Sequence, residues 1–581
     1  MSLAHQIVER VPFLARHYKK PELLVHDITL LSIMMALAGC GMIYEFLLSH
    51  YAARVLGATE AAIFGVFTVM IAAMGVGSFA AARIRNPFTG FAWLELLIAF
   101  IGSTVVLMIA SVVAITYLMP SLIAQTYGLQ GVEFQGGFIQ VLQFFANAFP
   151  YIMAFFIGVL IGAEIPLIAR VREKIYGQHL ENNTGTIYGA DYIGAGIGAF
   201  IFVVFLLQLE HSIAAVVAAS VNLVAGIIFF VAYRKNIAWS KLLLFGHLLV
   251  AIIVLVVGIR GTHWESAMED MLYKDKVIHS MQTRYQRVVV TKRIMDPTKA
   301  PVYALHINGH TQFSSRDEHI YHSMLVYPAM AASARQNQVL IIGGGDGLAL
   351  RDVLKWNPKQ VTLVDLDERI IDFFSEPYYK NNEVINTPLI ALNENAFNDP
   401  RVDVKVGDAF LIVDELLQSQ SRFDTIIVDL PDPNHPDLNK LYTARFYSKL
   451  QHILAGDGAI SVQSTSPYHA PEAFKSIGKT MAYAGFKNVE QYHANVPSFG
   501  EWGWTIATPQ GQSAKQRLQA LDELPLKDNW LTQDLLLSAF AFGKPFYDDI
   551  NHIKINRLNS TVLFDYHRQG WARESANIWQ Q

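Results

Sequence analysis

Cysteine is almost absent: Cys40 is the single one among 581 residues, and it sits inside an apolar run. No intramolecular disulfide and no thiolate metal site can therefore be built, and cysteine usage leaves the redox compartment open. Charge is scarce too, at 16% of residues, with 45 basic against 49 acidic side chains and a formal net charge of −4. No basic patch is interleaved with aromatics, so a nucleic-acid surface is not expected. Apolar residues, in contrast, make up 52% of the chain, and a mean hydropathy of +0.28 is high for a wholly soluble protein. The length exceeds that of one ordinary domain. Leu30 to Gly258 is apolar in long blocks, whereas the chain after Arg260 reads like an ordinary soluble sequence, which puts the boundary between Arg260 and Lys276.

Runs of spanning length cover 28–50, 60–82, 91–118, 138–168, 187–207, 212–233 and 242–259, against about 20 residues for one crossing. The first follows Arg10, Arg16, Lys19 and Lys20. It is too long, and lacks the small-residue cleavage site, to be a removable signal, so it should stay as an anchor. Arg83 and Arg85, then Arg170, Arg172 and Lys174, then Arg234, Lys235 and Lys241 fall on the same side as that basic start, and the other side shows only Arg54. The positive-inside rule then places the N-terminus in the cytoplasm, and seven spans would deliver the soluble half outside. Glu45, Glu95, Glu164 and Asp191 stand in apolar surroundings; such carboxylates are either functional or positions that glue helices together or lie at the interface. Gly194, Gly196 and Gly198 favour close helix packing.

From Arg284 the pattern changes. TRYQRVVVTKRI and VYALHINGHTQFS, with the Asn308-Gly309 turn signal, predict a small antiparallel β unit. QVLIIGGGDGLALRDVLKW is a strand, a glycine loop and a helix, the opening of a nucleotide-binding α/β domain. QVTLVDLDERI ends in acids about 20 positions on, where such folds hold a ribose hydroxyl pair. VDVKVGDAF, FDTIIVDLPDP and GAISVQSTSPY predict further strands. Asp346, Asp365, Asp408, Asp429 and Asp432 all fall at strand ends, where open α/β sheets bind ligands, and a converging set of carboxylates suits a cationic one. The spacing of these acids is too loose for a hard-cation loop, so no metal is expected. NWLTQDLLLSAFAFG and INRLNSTVLFDYHRQGW, after about Leu524, read as amphipathic helices expected to pack on the α/β core and to carry no catalytic group.

The stretch from Arg284 to about Trp504 resembles the spermidine and spermine synthases. IIGGGDGLALRDVLK, VDLDERI, DPRVDVKVGDAF, IIVDLPDP and LYTARFYSKL look like that family's motifs in order and spacing, as do YQRVVV, HINGHTQFSSRDEHIYH and VPSFGEWGW. Fusion to a multi-span region resembles a bacterial subgroup. The resemblance implies an N-terminal multi-span α-helical membrane bundle followed by a Rossmann-like, methyltransferase-type α/β domain preceded by a small antiparallel β unit. The organisation expected is an N-terminal cytoplasmic segment 1–27, a bundle 28–260, a linker and β unit 261–315, the Rossmann-like domain 316–510 and a helical tail 511–581.

By the same resemblance the activity would be transfer of an aminopropyl group from decarboxylated S-adenosylmethionine to putrescine, giving spermidine and 5′-methylthioadenosine, with no cofactor besides that co-substrate. Gln286 and Asp365 would hold the nucleoside side of the donor, and Asp408 and Ala409 its adenine. Pro436 would pack over the thioadenosine, with Gly343 and Gly345 in the donor-binding loop. His322 and Asp346 would bind amine ends beside Tyr321; Asp429 would be the base and Asp432 the grip on the acceptor. Ser323 replaces the family's Glu after the Tyr-His pair, and Leu430 and Pro431 replace small residues between the two aspartates, which leaves the acceptor open to another amine. A transporter-like protein with a polyamine-sensing domain is the reading from another class; a sensor needs no base, so Asp429 favours catalysis. The partners expected are the polyamine, the sulfonium donor and the lipid bilayer of the cell (inner) membrane, and a homo-oligomer is compatible. Because the donor is cytosolic, the catalytic domain is expected in the cytoplasm. An even span count follows, the weakest runs being 138–168, with Pro150, and the short last one, with His247.

Overall fold

The apolar blocks fold as helices and the short β-type runs as strands, in separate parts of the chain. The computed structural model describes residues 22–56, 59–126, 137–180, 182–270, 273, 275–380 and 382–577. The chain divides into two units, 1–276 and 277–581. Arg10, Arg16, Lys19 and Lys20 lie outside the described residues.

Unit one contains seven helices long and apolar enough to cross a membrane, among the described residues. They are α1 (Glu22–Leu56), α2 (Thr59–Ala81), α3 (Pro87–Thr126), α4 (Gly137–Tyr176), α5 (Asn183–Val204), α6 (His211–Tyr233) and α7 (Ser240–Asp270). The two runs on which the expected even count rested are both among these candidates. The run holding Pro150 is a single helix that also contains Pro166. The last run, short in sequence, continues through Glu265 to Asp270, because a helix does not stop where its apolar stretch stops. Gly194 and Gly198 meet α1 closely: a Cβ on either would approach Met35 O or Gly39 O to 2.1 and 2.3 Å, whereas Gly196 faces open space. Buried Asp27 and Arg172 form a bidentate pair at 2.7 and 3.0 Å, tying α1 to α4. The outward faces are apolar, with Phe79, Phe144, Phe200 and Val231 exposed.

Unit two opens with β1 (Lys276–Gln282), β2 (Arg287–Arg293), β3 (Val302–Ile307) and β4 (His310–Ser314), a sheet in sequential order. The turn between β3 and β4 is Asn308-Gly309 with φ of 50° and 85°, the double left-handed geometry that this dipeptide favours. Helix α8 (Glu318–Ala332) follows, then β5 (Gln338–Gly343), α9 (Leu348–Leu354), β6 (Gln360–Asp365), α10 (Glu368–Ser375), β7 (Val402–Val406), α11 (Ala409–Gln418) and β8 (Phe423–Asp429). After these come α12 (Ala444–Ile453), β9 (Leu454–Gln463), α13 (Pro471–Tyr483), β10 (Asn488–Val496) and β11 (Gly500–Thr508). The seven-stranded sheet has the order β10-β11-β9-β8-β5-β6-β7. Its five central and right-hand strands run parallel, and β11 is antiparallel to both neighbours. Parallel strands covered on both faces need continuous apolar runs, and Val339 to Ile342 and Ile426 to Val428 are fully buried. The tail is less helical than expected: Gln533–Ser538 is one short helix, and α14 (Val562–Asn577) is the long one.

Candidate active site

Strands β5 and β8 lie side by side, with Gly343 opposite Asp429. From β5 the chain proceeds to β6 and β7 on one side, and from β8 to β9 on the other, so the crevice of the sheet opens at this junction. Gly343, Gly344 and Gly347 have φ of 83°, 69° and 78°, a region comfortable only for glycine. A Cβ on Gly343 would lie 2.0 Å from Asp429 O, and one on Gly345 2.9 Å from Asp365 Oδ2. The loop is thus pinned between two strand-end acids. Asp365 accepts N–H bonds from Gly345 at 3.1 Å and Asp367 at 2.9 Å, and burial pushes its carboxyl up to about 6. Gln286 donates Nε2–H to Asp367 at 3.0 Å, which places it beside that acid loop. Asp408 caps α11 by accepting from Phe410 N–H at 2.9 Å, ahead of Ala409, and pairs with Lys440 at 2.5 Å. Tyr285, Leu366, Asp408, Pro436, Lys440 and residues 558–561 line a cavity of about 520 Å³.

Asp429 is held by α8. Tyr321 donates its hydroxyl to Asp429 Oδ1 at 2.7 Å, and His322 Nε2 stands 3.9 Å from Oδ2. His322 Nδ1 is committed to Glu318, at 2.9 Å from its carboxylate and 2.8 Å from its carbonyl. Glu318 in turn receives both Nη atoms of Arg351 at 2.9 and 3.0 Å, and Arg351 also pairs with Asp352. Burial alone would lower His322, but the hydrogen bond and charge of Glu318, with Asp429 and Asp346, hold it up at about 9. Burial would likewise raise Glu318, but His322 and Arg351 hold it down at about 2. Burial raises Asp429 against the opposing pull of the His322 charge and the Tyr321 hydrogen bond. Asp346 is pushed up to about 6 by burial, opposed by His322 and assisted by Asp429.

Asp432 has three neighbours: Gln463 donates to Oδ1 at 2.6 Å, Thr465 to Oδ2 at 3.2 Å, and His567 Nε2 lies 3.0 Å from Oδ2. Trp571 donates its indole N–H to the same His567 nitrogen at 3.0 Å. The tail therefore packs on the core and also reaches the site, through His567 and residues 558–561. Sequence reasoning missed Glu318, Arg351, Gln463, Thr465, Lys440 and His567; the acidic residue four before His322 was the one local signal. Among the described residues, no group of three or more His, Cys, Asp or Glu is placed to hold a metal.

A glycine loop between strand-end acids at the switch point of a mostly parallel sheet defines a Rossmann-like transferase domain of the methyltransferase type, with an anionic crevice. Residues 318–519 match the Spermine/spermidine synthase domain family. A polyamine aminopropyltransferase of Shewanella oneidensis is 52% identical over 547 residues, covering 94% of this chain and 95% of that one. Polyamine aminopropyltransferase 1 of Streptomyces coelicolor is 36% identical, with 93% and 94% covered. A polyamine aminopropyltransferase of Oceanobacillus iheyensis is 32% identical, with 91% and 93% covered. The chain belongs to the polyamine aminopropyltransferase family and is an enzyme of polyamine biosynthesis.

Proposed function

We propose that the enzyme transfers the propylamine group of decarboxylated S-adenosylmethionine to putrescine, releasing spermidine and 5′-methylthioadenosine. The observation that carries this reading is Asp429: a partly buried carboxylate at the end of β8, oriented by Tyr321 and facing the glycine loop. The acceptor nitrogen attacks the carbon bonded to sulfur, the C–S bond breaks with its electrons left on sulfur, and the amine proton passes to Asp429. An amine with a pKa of about 10 is protonated at neutral pH and cannot attack, so a proton acceptor in reach is the main demand on the protein. The sulfonium needs alignment more than activation; positioning contributes about 7 to 11 kcal/mol in favourable cases.

In this reading Asp365, with Gln286 beside its loop, receives the ribose. Asp408 and Pro436, which line the cavity of about 520 Å³, border the base and thioadenosine, with Ala409 next to Asp408. Asp346 pairs with the aminopropyl ammonium and repels the carboxylate of ordinary S-adenosylmethionine. His322, an imidazolium at neutral pH, acts on the amines through Asp429. Asp432 takes the distal ammonium together with His567. His567 Nε2 lies 3.0 Å from Asp432 Oδ2 and also receives the indole N–H of Trp571 at 3.0 Å, so the tail ring abuts the carboxylate that takes the ammonium. Purified full-length protein, offered the decarboxylated donor and a panel of amines, should form spermidine and methylthioadenosine one for one with putrescine. A faster turnover with another amine reassigns the acceptor, and no transfer with any amine ends the reading.

The seven helices are further proposed to span the cell (inner) membrane, with the catalytic unit on the cytoplasmic side, where the donor is made. Arg172 is consumed by Asp27, and Arg170 donates to Ala81 O and Ile84 O, so two of the counted charges are structural. Arg83, Arg85, Lys174, Arg234, Lys235 and Lys241 would then lie outside, against the usual bias. Donor supply is the stronger constraint. A reporter active only outside the cell, fused after Gln581, should stay silent; a strong signal would export the catalytic unit and remove a cytosolic donor.

A further inference from the structure

The helical unit buries a set of polar groups that the transfer chemistry does not use. Glu95 on α3 and Glu164 on α4 are 0% and 1% exposed. Asn222 on α6 donates Nδ2–H to Glu95 Oε2 at 2.8 Å, but Glu95 Oε1 and Glu164 Oε2 have no hydrogen-bond partner. Glu95 is an electrostatic neighbour of Glu164. A Cβ placed on Gly226, one turn beyond Asn222, would meet both Glu95 Cβ and His247 Nε2 at 3.3 Å, so His247 on α7 borders the same spot. His247 Nδ1 lies 2.8 Å from Leu243 O. A carbonyl only accepts, so Nδ1 carries the hydrogen and Nε2 of the neutral ring is a bare acceptor; it too lacks a partner. Tyr44 on α1 is fully buried with an unpartnered hydroxyl, and Cys40, Glu95 and Glu164 are its electrostatic neighbours.

The balance of donors and acceptors decides what belongs there. Glu95 Oε1, Glu164 Oε2 and His247 Nε2 want donors, and of these four atoms the Tyr44 hydroxyl is the one that can give one. Buried acceptors left unpaired are costly, and buried carboxylates more so unless a cation pairs with them. A metal is disfavoured, since no cluster of ligating side chains is present among the described residues. A primary ammonium carries one positive charge and three N–H donors in a compact head, which matches three acceptors, two of them carboxyl oxygens. At about 1.5 Å per residue, His247, Glu95 and Asn222 stand about 10 to 17 Å in from the nearer helix ends, within helices apolar and long enough to cross a membrane. Ionisable groups at such depth that face the bundle interior mark substrate or ion pathways.

We propose that the helical unit holds its own binding site for the ammonium end of an aliphatic amine, with Glu95 as principal counter-ion, Glu164 and His247 as further acceptors, and Tyr44 at its edge. This site is separate from the acceptor subsite at Asp432 and does not depend on which amine the catalytic unit uses. The test is equilibrium binding of labelled putrescine to the full-length chain in lipid nanodiscs, with transferase kinetics on the same samples. Wild type should show two classes of site. Asp432→Asn should weaken one class and leave the other. Glu95→Gln should weaken the other at least about tenfold, the effect of one charge-assisted hydrogen bond, with kcat and acceptor KM unchanged. Tyr44→Phe, which removes a single oxygen, should weaken that class about threefold, and methylthioadenosine binding confirms that each variant is folded. A single class that vanishes in Asp432→Asn, or a second class indifferent to both Glu95→Gln and Tyr44→Phe, would overturn the site, as would variants that alter proton uptake but not amine binding. Absence of transfer by wild type would sink the catalytic reading alone, because the two classes are counted without turnover.

Discussion

The carboxylates of the two units differ in burial and in support: Glu95 and Glu164 are fully buried, whereas Asp365, Asp429 and Asp432 are partly buried. In the catalytic unit, Asp365 is held by two backbone N–H groups, Asp429 by Tyr321, and Asp432 by Gln463 and Thr465. Each is aimed before any ligand arrives, as a site that must place a carbon within attacking distance requires. In the helical unit Glu95 has one amide donor, and Glu95 and Glu164 each keep an oxygen without a partner. The proposed chemistry uses the oriented acids, and the proposed amine site uses the acids short of donors.

The sharpest way to break that comparison is to remove the proposed base while keeping its shape. Asp429→Asn should still bind methylthioadenosine and lose about 10² to 10⁴ in turnover, the usual contribution of one proton acceptor; near-wild-type turnover would take Asp429 out of the mechanism. Asp346→Asn should weaken the decarboxylated donor and strengthen ordinary S-adenosylmethionine, so that the preference falls at least about tenfold in calorimetric titration of both. If both affinities drop together, Asp346 only shapes the loop, where it already accepts from Leu348 N–H.

Glu318→Gln tests the support behind the proposed base. Glu318 is held down at about 2 and His322 up at about 9. The glutamate's contribution to stability is therefore present above its ordinary 4.5 and lost as pH falls towards 2, while the histidine's is present below its ordinary 6.5 and lost as pH rises through about 9. The Tm gap between wild type and Glu318→Gln should be widest between those ordinary values and narrow above about pH 9. The alkaline limb of kcat/KM should move towards neutrality in the variant; an unmoved limb would reduce the pair to a strut. The smallest effect is expected for His567→Ala, about a three- to tenfold rise in acceptor KM with donor affinity unchanged, for the loss of one hydrogen-bonding partner at Asp432. Equal losses for donor and acceptor would mean that α14 only props the core.

Much of this was legible because it is local. Strands β6 and β8 are short apolar runs closed by an acid, so Asp365 and Asp429 mark their ends in sequence as they do in space, and Asn308-Gly309 announces its own turn. The support behind the acids was not legible. Arg351 reaches Glu318 across 33 residues and His567 reaches Asp432 across 135, and neither pair leaves a spacing to recognise. Apolar runs located the helices but understated α7, whose final turns are polar, and this made an even number of spans look attainable. Glu95 and Glu164 were visible as carboxylates out of place; that Asn222, His247 and Tyr44 gather with them depended on how five helices pack.

A structure of the full-length chain with 5′-methylthioadenosine and putrescine bound tests the catalytic assignment most directly. One putrescine nitrogen should lie within hydrogen-bond reach of Asp429, about 2.6 to 3.2 Å, on the sulfur side of the nucleoside, with the other nitrogen against Asp432 and His567. A diamine lodged elsewhere in the crevice, or an Asp429 covered by the nucleoside and closed to any amine, would contradict it.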